Sequence, residues 1–98
     1  MVRGLTMPRK ISDTLKELEE VAEKKSIRIS YEAIGGELGA GGLCKVKGQH
    51  RVIVDKRATD NEKVIVIATA LARFELDDIF MSEDTREIIV RHGGRKAG

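Results

Sequence analysis

An α+β domain is predicted, with an N-terminal helix, a small three-stranded antiparallel sheet and then two helices packed on one face; three observations predict it. Met7, Ile11, Leu15, Leu18 and Ala22 recur at helical spacing near the start of the chain. Between residues 27 and 55 apolar side chains alternate with polar ones, the period of half-buried strands. From 60 to 74 the chain is apolar on nearly every side, which demands a helix buried almost all round. The order helix, three strands, two helices sets the helices against one face of the sheet.

The first helix is expected from about 8 to 25. Thr6 or, for a later start, Ser12 serves as its N-cap, with Pro8 in the first turn. Its other faces carry Glu17, Glu19, Glu20 and Glu23, with Lys24 and Lys25 at the end, the order that the helix dipole favours. A strand follows from 27 to about 34, where Ile27, Ile29 and Tyr31 alternate with Arg28, Ser30 and Glu32. The stretch from 35 to 42 holds five glycines and reads as a flexible connector. It has neither G-x-G-x-x-G nor G-x-x-x-x-G-K-[ST], so it lacks the spacing that cradles a nucleotide phosphate.

Residues 43–47 and 51–55 are expected to pair as strands about Gly48-Gln49-His50. A three-residue connection sets Cys44 and Val46 opposite Val54 and Val52 as a buried apolar face, and gives the other face to Lys45, Lys47, Arg51 and Ile53. Thr59 and Glu62 form the capping-box pattern that opens the apolar helix. Leu76, Ile79 and Phe80 predict a short extended piece, and Ser82-Glu83-Asp84 opens a last helix to about 91. Residues 1–92 thus form one domain, and 93–98 a disordered basic tail.

Composition narrows the function. With 98 residues, 41% apolar and 35% charged, the chain supports a single core, built mainly from Ile, Val, Leu and Ala because Tyr31, Phe74 and Phe80 are its aromatic residues. So few aromatics argue against a base-stacking surface for single-stranded nucleic acid. The formal net charge of +2 is mild for a nucleic-acid binder. One cysteine, Cys44, forms no internal disulfide, and it offers no zinc spacing with His50 and His92. The N-terminal residues lack an apolar signal-peptide core and no apolar run is long enough to span a bilayer, so a cytoplasmic protein is expected.

Candidate binding residues fall in two groups. Lys45, Lys47 and Arg51 on one hairpin face, with Lys56 and Arg57 beyond, form a basic patch able to meet phosphates, though charged residues there also discourage edge-to-edge pairing. Thr69 and Arg73 are the polar residues inside the apolar run of the second helix. Being four apart they share a face, with Glu62 and Val66 on the same stripe. Cys44 reads as a small core residue and His92 as a dipole partner at a helix end. The acidic pairs Asp77-Asp78 and Glu83-Asp84 lack calcium-loop spacing. No metal or cofactor is implied.

The run Val66-Ile-Ala-Thr-Ala-Leu-Ala-Arg-Phe74 resembles the active-site helix of small zincin-like metallopeptidases such as the phage anti-repressor proteases, where that helix carries H-E-x-x-H. The layout upstream is similar too, with a helix, then strands running through a stretch like Gly41-Gly42-Leu43 and a segment like Arg51-Val-Ile-Val-Asp55, over residues 10–90 in all. In the matching positions Thr69 and Arg73 replace the zinc histidines and Ala70 the general-base glutamate. A guanidinium is a permanent cation that repels a metal, and without the glutamate nothing activates a water. The resemblance therefore implies a scaffold without the reaction. The expected function is a non-catalytic protein- or peptide-interaction module, with homo-oligomer formation as one of its uses and no membrane partner. The alternative is a small nucleic-acid-associated protein that uses the hairpin at 45–57 and the basic tail.

Overall fold

Each apolar period yields the element it predicts. The computed structural model describes residues 10–34 and 41–93 and contains α1 (Ile11–Lys24), β1 (Arg28–Glu32), β2 (Gly41–Val46), β3 (Gln49–Asp55), α2 (Asp60–Leu71) and α3 (Glu83–Gly93). The buried stripe of α1 is Thr14, Leu18, Val21 and Ala22, with Leu15 partly covered, whereas Ile11, expected on that stripe, is exposed in the first turn. Lys10 occupies the N-cap without a side-chain hydrogen bond, which removes Ser12 from that role; Thr6, Met7 and Pro8 lie outside the described residues. The helix ends in a Schellman arrangement, in which the Ile27 N–H donates to the Ala22 carbonyl at 2.9 Å and the Ser26 N–H to that of Glu23 at 3.0 Å. Ser26 takes the left-handed conformation there, with φ 60°.

The sheet corrects the prediction in two respects. Its order is β1-β3-β2, with β1 parallel and β2 antiparallel to β3, so it is mixed where an all-antiparallel sheet was expected. The connection from β1 returns the chain to the far side of the sheet, and β3 then inserts between the first two strands. The hairpin is also tighter than expected. Lys47 and Gly48, with φ 52° and 81°, form a two-residue turn of the kind that matches strand twist, and Val46 faces Gln49 across it. Leu43 therefore opposes Val52, and Cys44 opposes Arg51. Gly41 belongs to β2 and has to be glycine, because its φ is 134° and a Cβ there would stand 2.0 Å from the Ile53 carbonyl oxygen.

All three helices lie on the face that carries Val52 and Val54. These two valines join Leu18, Val21, Ile67, Leu71 and Ile89 in one core, and Phe74 beyond α2 meets the His50 ring edge-to-face at 4.8 Å. The capping box of α2 forms as its pattern predicts. The Thr59 hydroxyl accepts the Glu62 N–H at 3.2 Å, and the Glu62 carboxylate accepts the Thr59 N–H at 3.0 Å. Val64, Ile67, Ala68, Ala70 and Leu71 of this helix are buried, whereas Ile65 is 44% exposed, so one side of the apolar helix is open. Arg73 and Phe74 follow the helix in a turn, and Leu76 and Ile79 are core residues of an irregular connection, where an extended piece was expected.

Ser82 caps α3 by accepting the Thr85 N–H at 3.2 Å. Glu17 of α1 reaches the same point, accepting the Ser82 N–H at 2.6 Å, the Ser82 hydroxyl at 3.0 Å and the buried Thr85 hydroxyl at 2.9 Å. One carboxylate thus ties the first helix to the last. Gly93 closes α3, whereas the expected tail began there; residues 94–98, with Arg95 and Lys96, lie outside the described residues, as do 35–40 of the glycine stretch.

Candidate functional site

The hairpin register separates the residues expected to form a basic patch. Successive strand residues alternate faces, and Lys45 is paired with His50, so both lie on the helix side of the sheet. Arg51 is paired with Cys44 on the opposite side, and Lys47 sits in the turn. Cys44 is accordingly half-buried on the face away from the helices, and it is not a core residue. Lys45, Lys47 and Arg51 do not share one surface.

Thr69 and Arg73 are brought to a site. Both are exposed on the open side of α2, and with Ile65, Val66 and Ala70 they form one wall of a cleft of about 430 Å³. The other wall is β2, through Gly41, Gly42 and Leu43. A second depression of about 540 Å³ shares Thr69 and Arg73 and extends toward His92 and Gly93 at the end of α3. Arg73 makes no ion pair among the described residues, so its guanidinium is available to an anionic group in either depression.

The strand wall has a particular chemistry. No described strand pairs with the outer edge of β2. In a two-residue hairpin the flanking residues exchange both backbone hydrogen bonds and the pattern then alternates. Val46, Cys44 and Gly42 consequently bond to β3, while Gly41, Leu43 and Lys45 turn their N–H and C=O groups outward. Those of Gly41 and Leu43 border the cleft, and those of Lys45 continue the same edge beyond it. Glycines at 41 and 42 leave the strand backbone there without a covering side chain, and a Cβ on Gly42 would meet nothing within 4 Å.

Sequence reading missed Gly41, Gly42, Leu43 and Ile65. The Lys47-Gly48 pair was the available signal, since a glycine after a polar residue between two alternating segments marks a two-residue turn and extends β2 back to 41. Among the described residues no group of three or more His, Cys, Asp or Glu side chains gathers where a metal ion could bind, and no helix is long and apolar enough to cross a membrane. No family model, curated protein or solved structure matches the chain.

Proposed function

We propose that this protein is a non-catalytic cytoplasmic interaction module whose cleft between β2 and α2 receives an extended segment of a protein partner. The single observation that carries this reading is the open, glycine-bared edge of β2 set beside the open side of α2. A bound segment adds as a further strand, drawing affinity from the main-chain groups of Gly41, Leu43 and Lys45 and selectivity from the side chains opposite. Ile65 and Val66 favour an apolar side chain of the segment, and Arg73 favours a carboxylate near its end. The module is read as non-catalytic because Thr69, Ala70 and Arg73 stand where the zincin-like pattern needs His, Glu and His.

Selection from a displayed library of random peptides tests this. Binders are expected to shift the amide resonances of Gly41, Leu43 and Lys45 and to slow hydrogen exchange at Leu43 and Lys45. Thr69→Trp, which fills the cleft from an exposed position, should weaken them roughly tenfold or more, the equivalent of about 1.4 kcal/mol. Binders that map to another surface, or that are indifferent to both Thr69→Trp and Arg73→Glu, would overturn the proposal.

A further inference from the structure

The sheet face away from the helices carries its charges in rows. Side chains paired across neighbouring strands share a face, so Arg28 of β1 stands beside Arg51 of β3, which has Cys44 of β2 on its other side. Two residues along, Ser30 stands beside Ile53 and Gly42; two further on, Glu32 stands beside Asp55. Like charges set side by side on adjacent strands repel. Arg28, Arg51 and Glu32 make no ion pair among the described residues, whereas Asp55 is held by Arg57, whose N–H it accepts at 3.0 Å and whose Nε lies 3.8 Å away. The buried side-chain atoms left without a hydrogen-bond partner, Ser30 Oγ and Arg51 Nε, belong to residues of this same face. Cys44 and Ile53 are half-buried on this face and, with Ile34, Gly41, Gly42 and Leu43, line an apolar depression of about 260 Å³ at its β2 side.

We infer that this face is the contact surface of a homodimer, in which a second copy lies face to face across a two-fold axis at right angles to the strands. The axis passes through the row of Ser30, Ile53 and Gly42. Such an operation reverses strand direction but keeps strand order, so β1 lies over β1 and β3 over β3. The basic row of each copy then covers the acidic row of the other. Arg28 meets the partner's Glu32 and Arg51 meets the partner's Asp55, each pair occurring twice, with Ile53 against the partner's Ile53 at the centre. An axis along the strands would instead set β1 over β2 and put Arg28 over Cys44, leaving both rows unanswered. Charge complementarity therefore selects a second copy in one orientation, as an isologous contact requires.

Three strands about 4.8 Å apart and some five residues long cover roughly 14 by 17 Å of plane. That is well below the roughly 800 Å² per partner of a standard interface, so the dimer is a weak one, to be sought at protein concentrations up to about 1 mM. Sedimentation equilibrium of the intact chain is expected to show a monomer–dimer equilibrium there. Arg28→Glu or Glu32→Arg alone should weaken the dimer roughly tenfold or more, because each puts like charges face to face twice. The double exchange, Arg28→Glu with Glu32→Arg, should restore it to within about threefold of the original constant. A strict monomer, a dimer indifferent to the single reversals, or a double exchange that fails to rescue would each overturn the inference. Thr69→Trp leaves this face intact and should not move the equilibrium, so failure here and failure of the cleft reading are separate results.

Discussion

Tyr31 shows how much one side chain on β1 depends on its neighbours. Burial among α1 and α2 is the main cause that pushes its phenol well above the ordinary tyrosine value, and the hydrogen bond it donates to Glu19, with the negative charges of Glu19 and Asp60, pushes further in the same direction. Lys63 stands 5.3 Å from the ring centroid on the ring face. A phenol raised in the folded state adds stability that is fully present below the unfolded value of about 10 and is lost as pH rises through the folded value. Tyr31 is the chain's one tyrosine, so ultraviolet titration reads it directly. Folded protein should show no phenolate absorbance through the range where free tyrosine ionises, and Glu19→Gln should bring the transition back toward that range. A wild-type midpoint near 10 would refute the environment described for it. None of this was legible in the sequence, because Glu19 and Tyr31 meet only once α1 folds over β1; the pair looked like one more charge on a solvated helix face and one inward strand residue. Thr69 and Arg73 were legible as an exposed pair, since their spacing of four and the apolar run around them suffice to put both on one side of a helix. What they face was not, because the opposite wall comes from a strand more than twenty residues earlier.

At the scale of elements, local signals decided what was readable. The capping box at Thr59 and Glu62 is a short-range pattern, and it starts α2 where predicted. Burial patterning alone points to the wrong hairpin register, because the apolar quartet Cys44, Val46, Val52 and Val54 that it favours ignores the turn at Lys47-Gly48. The fold instead pairs Leu43 with Val52, places Gly41 beside Val54, and leaves Val46 43% exposed on the other face. The partner of Cys44 moves by three positions, from Val54 to Arg51, and any odd shift carries every side chain of a strand to the opposite face, which is why Cys44 and Lys45 both change sides. The two registers make opposite forecasts at Lys47. In the observed turn Lys47 has φ 52°, a conformation that costs a non-glycine residue about 1–2 kcal/mol and that Asn tolerates better. Lys47→Asn should therefore stabilise the protein by about 0.5–1 kcal/mol, read as a higher urea midpoint with unchanged slope. Had Lys47 been the last residue of an extended strand before a three-residue loop, the same change would destabilise, Asn being a poor strand former. The sign of the change in midpoint separates the two.

Across the whole molecule, the helices and their order follow from periodicity, but strand order does not. Parallel pairing of β1 with β3 is a long-range choice that carries no period of its own, and it is what puts β2 at an edge and Arg28 beside Arg51. The same topology bears on nucleic-acid binding. A nucleic-acid contact needs several cations on one continuous surface, since each neutralised phosphate adds only about 0.9 to the steepness of the salt dependence. Here Lys45 is on the helix side of the sheet, Arg51 on the other, and Lys47 between them in the turn, in a chain of formal net charge +2. No duplex backbone can lie against both sides of a sheet at once. Fluorescence anisotropy with a labelled duplex and a labelled single strand should therefore give at most weak binding at low salt, with a slope of log K against log salt no steeper than about −2, and none at physiological salt. Lys47→Glu and Arg51→Glu should act independently, because the two cations cannot touch one strand together. A slope near −4 or steeper, lost cooperatively in the double variant, would require Lys47 and Arg51 to act on one surface and would return the hairpin to the role of a nucleic-acid contact.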